Sequence, residues 1–341
     1  MREPAFWYRP SSWMSLLLSP LAAIYGAIAG RRLQRKGFDA GIPVFCVGNY
    51  HVGGAGKTPT VLALVKLLRD LGETPVVLSR GYGGRLRGPI VVEPGRHLAA
   101  DVGDEPLMLA RTVPVTVARE RLDGLALAKS QGATVIVMDD GFQNPTIAKD
   151  VSLIVIDAQR GLGNASVFPA GPLRAPLPPQ IDRTDALIVI GEGHAAEAIA
   201  ATIAAQDKPV LTARLKADVA TLSALRGQRV LAFAGIGDPA RFFRTLHGNG
   251  VEVVSEHAFA DHHSFTQAEI EALVADAKRQ ALTLVTTEKD LARLGVGGEL
   301  LPWAQGIVAF PVQLEFDSAP ALRQFVSDRL FQARDPKFRK S

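Results

Sequence analysis

Short apolar runs alternate along this chain with segments of helical periodicity. "GIPVFCVGN" (41–49) is apolar and bounded by turn residues, which predicts a buried strand. "TPTVLALVKLLRDLG" (58–72) spaces its apolar residues three and four apart and ends at Gly72, which predicts an amphipathic helix. "TPVVLSRGYGG" (74–84) reads as a strand running into a glycine-rich loop, and "VGDEPLMLARTV" (102–113) as a loop entering a helix. "VPVTVAR" and "RLDGLALAKSQG" supply the next strand and helix. "ATVIVMDDGFQ" (133–143), "VSLIVIDAQ" (151–159) and "DALIVIG" add three buried strands. Strands apolar on both faces that alternate with helices predict an α/β fold with a parallel, doubly wound sheet.

The pattern lapses from about 160 to 185, where "GLGNASVFPAGPLRAPLPPQ" is rich in Gly and Pro. A loop this long in a compact domain is functional or a linker. "QRVLAFAGIGDPARFFRTLHGNGVEVV" (228–254) then restarts a strand–turn–helix–strand pattern, and "LTLVTTEKDLARL" (282–294) adds a strand and a helix. The expected organisation is an N-terminal helix over 1–36, a larger α/β core over 37–215, and a smaller α/β unit over 216–335 that closes a cleft.

"WMSLLLSPLAAIYGAIAG" (13–30) carries no charge and is followed by "RRLQRKG". Three readings fit it. A signal peptide would use Arg2 and Arg9 as its basic end and Ala27-x-Ala29 for cleavage. A membrane span needs about 20 apolar residues, and this stretch is slightly short and holds Ser15, Ser19 and Pro20. A helix sunk in one leaflet would place Trp7, Tyr8 and Trp13 at the interface and the basic cluster among anionic headgroups. Pro20 either opens a helix or kinks one.

Composition narrows the classes. With 47% hydrophobic and 21% charged residues, the 341-residue chain is globular. Its one cysteine, Cys46, excludes an intrachain disulfide and sits in an apolar run where it packs. The whole net charge of +4 falls in residues 1–40, where Arg2, Arg9, Arg31, Arg32, Arg35 and Lys36 face only Glu3 and Asp39. That placement argues against a broad nucleic-acid-binding face, so no nucleic-acid partner is expected.

The chemistry begins at "NYHVGGAGKTPT" (49–60). Strand, glycine-rich turn and helix start are the context of a phosphate-binding loop, whose backbone N–H groups and helix dipole receive phosphate. His51, Val52, Gly53, Gly54, Ala55, Gly56, Lys57 and Thr58 would form it. Lys57 would reach the β/γ-phosphates and the Thr58 hydroxyl would bind Mg²⁺. His51 stands where the common pattern has glycine; the "GGxGKT" form matches the loops of deviant Walker ATPases, which carry lysine at the position of Val52. A plain glycine turn with a helix cap is the alternative. Asp139 and Asp140 follow a buried strand, as acidic residues that hold a metal shell do, although Asp-Gly is also good turn chemistry.

"GDEP" (103–106) puts Asp104 and Glu105 at a helix start. Asp104 is either a cap or a base that takes a hydroxyl proton. "FADHHSF" (259–265) clusters Asp261, His262 and His263, a structural loop or a metal site. Arg80, Arg121 and Arg174 stand where phosphates could be clamped, though most arginines are merely solvated.

In order, "VGNYHVGGAGKTP", "LSRGYGG", "VGDEP", "VMDDGFQN", "GLGNASVFPAGPLR", "AGIGDPARFF", "ADHHSF" and "TTEKD" resemble the tetraacyldisaccharide 4′-kinase family, the lipid A 4′-kinases of Gram-negative bacteria. The resemblance implies transfer of the ATP γ-phosphoryl to the 4′-hydroxyl of an acylated glucosamine disaccharide 1-phosphate lipid, giving lipid IVA. It implies two α/β/α units joined by a short β linker, and attachment to the cytoplasmic face of the inner membrane through the N-terminal helix. By position, Asp104 matches the family's catalytic base and His262 its partner. Lys57, Thr58, Asp139 and Asp140 match nucleotide and Mg²⁺ residues, with Thr58, Asp139 and Asp140 as the metal group; Arg121 and Arg174 match phosphate-side arginines. The family commonly reads "GPLRE", whereas Ala175 follows Arg174 here. The rival reading is a membrane-recruited deviant-Walker ATPase switch, against which Val52 speaks. A GTPase would want N-K-x-D, and "TTEKD" is not that.

Overall fold

A computed structural model of the chain describes residues 3–9, 12–296 and 299–335; Arg2 lies outside them. Eight strands come first: β1 (Val44–Gly48), β2 (Pro75–Ser79), β3 (Ile90–Val91), β4 (Val115–Val117), β5 (Val135–Asp139), β6 (Val151–Asp157), β7 (Ala186–Ile190) and β8 (Val210–Ala217). There follow β9 (Arg229–Ala234), β10 (Glu252–Ala258), β11 (Thr283–Thr286), β12 (Gly295–Val296), β13 (Glu299–Leu300), β14 (Val308–Ala309) and β15 (Val312–Phe316).

Among the described residues, a nine-stranded sheet runs β15-β8-β7-β6-β1-β5-β2-β4-β3. Its seven central strands are parallel, and only the edge pairs β3–β4 and β15–β8 are antiparallel. Burial on both faces explains the continuous apolar runs. Phe45 and Val47 pack into one layer with Val61, Leu64 and Leu68 of the helix Lys57–Asp70. Val44 and Cys46 point the other way, to Leu125, Ile136 and Met138. Each fully buried aliphatic side chain of this kind contributes about 1.5–3 kcal/mol.

A second sheet, β10-β9-β11-β14, is parallel throughout. Val230, Ala232 and Ala234 face Phe242, Phe243 and Leu246 on one side; Leu231 and Phe233 face Ile270 and Leu273 on the other. This smaller unit departs from the expected span of 216–335. Its sheet covers 229–309, and β15 then returns to pair with β8 from Val312↔Ala217 to Phe316↔Ala213. The helix Ala319–Arg334 continues that return and buries Leu322, Val326 and Leu330 against the layer of Val61 and Leu64. No local pattern in the sequence marks a strand that rejoins a sheet about 100 residues after its neighbour.

Trp13–Leu33 is one continuous helix, long and apolar enough to cross a membrane by length and composition. Pro20 lies inside it and lacks the N–H that would bond Leu16 O; the Ser19 hydroxyl donates to that carbonyl at 2.8 Å instead. Only Ala22, Gly26 and Leu33 are buried. Gly26 faces Val167 and Pro176, Gly30 faces Pro176, and Ser15 donates to Ala170 O at 2.9 Å. Trp13, Leu16, Leu17, Leu21, Ile24 and Ile28 are exposed. The Gly/Pro-rich stretch is irregular apart from the short helix Leu177–Asp182, and it is the seat of this helix.

Candidate active site

The C-terminal ends of β1, β5 and β6 meet where the chain switches from one side of β1 to the other, the place where open α/β sheets bind ligands. Residues 49–56 leave β1 there and turn into the helix Lys57–Asp70. Gly56 is required at the turn: its φ is 96°, and a Cβ would lie 2.7 Å from Ile190 Cδ1. Asn49 Nδ2 donates to Gly53 O at 3.0 Å and closes the loop on itself.

The loop is also fastened from outside. Val52 N donates to Pro172 O at 2.8 Å and Arg174 N donates to Tyr50 O at 2.9 Å, on either side of a bridge between His51 and Leu173. The "GPLR" segment thereby shapes the loop and delivers Arg174 to it. His51 itself turns inward, with its ring Nδ1–H donating to Val52 O at 2.8 Å, so its side chain belongs to the loop's interior rather than to the phosphate cradle. Ala55 is likewise buried, and Val52 is exposed. Ala175 is enclosed, and its carbonyl accepts from Gln180 Nε2 at 2.8 Å.

Lys57, Asp139, Asp140 and Arg174 come together. Asp140 accepts from Arg174 Nη1 at 2.6 Å, and Lys57 Nζ lies 3.8 Å from the same oxygen. Burial works against the Asp140 charge, but Arg174 and Lys57 outweigh it and hold the carboxyl below the usual range. Asp139 is the opposite case: burial, then the charges of Glu105 and Asp140, push it up to about 7. Its Oδ1 is buried without a hydrogen-bond partner. Arg121 starts the helix Arg121–Ser130, is buried behind Asp139, and donates to Ala118 O at 3.2 Å. Arg80 is exposed at the end of β2.

The described residues contain no group of three or more His, Cys, Asp or Glu able to hold a metal alone. In "FADHHSF" the two histidines turn to different partners, His262 to Asp104 and His263 to Glu269. His263 pairs with Glu269 at 3.0 Å and stacks on Phe259, away from His262. Two aspartates suit a Mg²⁺ ion, which takes one or two carboxylates and completes its shell with phosphate oxygens and water. The unpartnered, charge-starved Asp139 oxygen is the observation that favours a cation there.

The smaller unit supplies the facing wall. Arg241 pairs with Asp157 at 3.0 Å, and Gly237 comes against the Gly54 backbone N. Glu3, Tyr8 and Arg160 cluster nearby: Tyr8 Oη donates to Glu3 at 2.5 Å, Arg160 pairs with Glu3, and Glu3 packs on Gly53.

Asp104 and His262 meet across this wall, with Nδ1 and Oδ2 3.1 Å apart. Gly103 has φ 94°, and a Cβ there would lie 2.5 Å from Tyr82 O, so only glycine lets the chain bring Asp104 up to the cleft. His262 sits at φ 56°, like Asp140 at 51° a non-glycine residue in the left-handed region. Tyr82 covers His262 edge-on at 5.3 Å. Lys289 and Arg293 are the residues that reading the sequence missed. Arg293 Nε donates to Asp104 Oδ2 at 3.0 Å, and Lys289 Nζ donates to Glu105 at 3.0 Å. Their spacing of four within "TTEKDLARL" places both on one helical face, which was the available signal.

A profile of the family described as tetraacyldisaccharide-1-P 4′-kinase matches residues 14–331. The chain belongs to that family. The tetraacyldisaccharide 4′-kinase of Bradyrhizobium diazoefficiens is 68% identical over 338 residues, covering 99% of both chains. That of Nitrobacter winogradskyi is 64% identical over 334 residues, covering 98% of this chain and 99% of its own. Among solved structures of the family, "apo"-form LpxK from Aquifex aeolicus in complex with ATP superposes with a TM-score of 0.71 at 25% identity, covering 93% of this chain and 99% of the other.

Proposed function

We propose that the cleft binds ATP on residues 51–58 and transfers its γ-phosphoryl to the 4′-hydroxyl of a tetraacyldisaccharide 1-phosphate, the reaction for which the family is named, giving lipid IVA. The observation that carries the reading is the pairing of Asp104 with His262 at 3.1 Å, beside a phosphate loop that holds Lys57. In the transfer, the bond from the γ-phosphorus to the β-phosphate oxygen breaks and a bond to the sugar oxygen forms. The hydroxyl proton goes to Asp104. Such a loose transition state asks for positioning and neutral surroundings more than for a strong base. A carboxylate held ionised below its usual range is ready to orient the hydroxyl near neutral pH.

Backbone N–H groups of Gly53, Gly54, Gly56 and Lys57 would face the phosphates, with Lys57, Arg121 and Arg174 supplying positive charge where negative charge gathers. Thr58, Asp139 and Asp140 would hold Mg²⁺, which supplies charge neutralisation across the β- and γ-phosphates. The exposed apolar side of the helix Trp13–Leu33, followed by Arg31, Arg32, Arg35 and Lys36, supports attachment to a membrane surface at the side where ATP is available, the cytoplasmic one. The acyl chains of the substrate would stay in that bilayer.

The test is product analysis with labelled ATP and the disaccharide 1-phosphate. Label on the lipid is expected. ATP turnover without labelled lipid would reject the kinase reading and favour an ATPase switch. Asp104→Asn is expected to lower kcat by about 100-fold or more, the usual worth of a positioned proton acceptor, with ATP binding retained. Lost ATP binding with normal turnover at saturation would remove Asp104 from the chemistry.

A further inference from the structure

Asp104 has more partners than a lone base and its histidine require. Its Oδ1 accepts from the Glu105 backbone N–H at 3.0 Å within its own helix. Every other contact comes from the smaller unit and falls on Oδ2: His262 Nδ1 at 3.1 Å, Lys289 Nζ at 3.7 Å, and the Nε and Nη2 of Arg293. Arg293 is buried to 8% exposure and Asp104 to 5%, so solvent does not screen the pair. Nor is Arg293 free to wander. Its Nη1 donates to Asp290 at 2.5 Å and to Gly235 O at 2.8 Å. Asp290 is itself fixed by the Gly235 N–H at 3.0 Å and the Thr287 hydroxyl at 2.8 Å. A planar fork anchored at one end and aimed at a carboxylate at the other fixes both distance and orientation.

Resting on the assignment of Asp104 as proton acceptor, we propose that Arg293 is the positioning residue of the reaction: it sets the Asp104 carboxylate when the smaller unit closes on the larger. Lys289–Glu105 is the second arm of the same latch, one helical turn away. His262 and Asp261 on the loop after β10, Lys289 and Arg293 on the helix Glu288–Arg293, and Glu105 beside Asp104 are the titratable and charged groups around it. Taking away Arg293 leaves a buried carboxyl with less positive charge, so its proton is held more tightly. The acid limb of the kcat profile then moves to higher pH. A purely structural arginine would scale activity alike at every pH.

The experiment uses the full-length protein in phospholipid–detergent micelles with Mg-ATP and the disaccharide 1-phosphate. Arg293→Lys is expected to lower kcat by roughly tenfold to a hundredfold, a share of what a proton acceptor contributes, with KM for ATP little changed. Its acid limb should move upward. Arg293→Ala should lose more and regain much of it with methylguanidinium. Arg293→Lys keeps a cation for Asp290 and carries the test if the alanine variant does not fold. Wild-type kcat and an unmoved acid limb in Arg293→Lys, beside an inactive Asp104→Asn, would overturn the positioning role alone. An active Asp104→Asn would overturn the assignment of Asp104 on which it stands.

Discussion

His51 shows how a single substitution in a loop changes its support without changing its task. The imidazole is buried and its Nδ1–H bonds the Val52 carbonyl of the same loop. Burial of the ring, with the positive charges of Lys57, Arg160 and Arg174 nearby, lowers its pKa to about 4. In the unfolded chain it returns to about 6.5. Between these values the unfolded state binds the extra proton, so stability is complete above pH 6.5 and falls as pH drops toward 4. The contribution across the window is on the order of 3 kcal/mol. Urea titrations of wild type and His51→Gln at several pH values check this. The variant should have the flatter slope between pH 6.5 and 4, and equal slopes would show that the ring is solvated.

At the residue scale the sequence spoke clearly where chemistry and backbone geometry coincide. Gly56, Lys57, Asp139 and Asp140 are legible because a phosphate loop and a buried acidic strand end use few residue types. The sequence offers Arg80, Arg121 and Arg174 alike, since an arginine carries no local sign of its partner. Beyond their helical spacing of four, nothing in the sequence marks Lys289 and Arg293, because their partners Glu105 and Asp104 lie more than 180 positions away.

Among the elements, the helix Trp13–Leu33 is the one whose role depends on what lies outside the chain. Its seat on Val167 and Pro176 is narrow and built from Ala22, Gly26 and Gly30, leaving large apolar side chains outward. Exposed patches of that size mark binding surfaces. Leu17→Glu with Ile24→Glu should therefore abolish co-sedimentation with vesicles containing anionic phospholipid and leave the melting temperature unchanged, because neither residue is packed in the protein. Undiminished vesicle binding would place the membrane contact elsewhere. The helix itself was evident from composition; its continuity through Pro20 was not, because the rescue comes from the hydroxyl of Ser19.

For the whole molecule, the layered order of the sheets predicts a gradient of protection. β1, β5 and β6 are buried along their full length, whereas β10 is an edge strand with alternate residues exposed. Amide hydrogen exchange should be slowest in the first three and faster in β10. ATP should slow exchange in 50–58 and in 172–174 together, since the two segments share the bonds Val52 N→Pro172 O and Arg174 N→Tyr50 O. Protection of the first without the second would show that the "GPLR" segment does not move with the loop. The doubly wound core was legible because each strand and helix announces itself locally. The return of β15 and the last helix was not, because sheet edges are chosen by what remains uncovered after the core has formed.

That return means the smaller unit enters and leaves the larger one through neighbouring strands, at Ala217 and Val312. A unit whose two ends lie side by side can be added to a finished domain without disturbing it. The phosphate loop and the apolar N-terminal helix thus belong to a host that the insertion splits, and His262, Lys289 and Arg293, which meet Asp104, belong to a guest. Host and guest can then diverge at different rates, with the Asp104–Arg293 and Asp104–His262 contacts as the seam where their histories must agree.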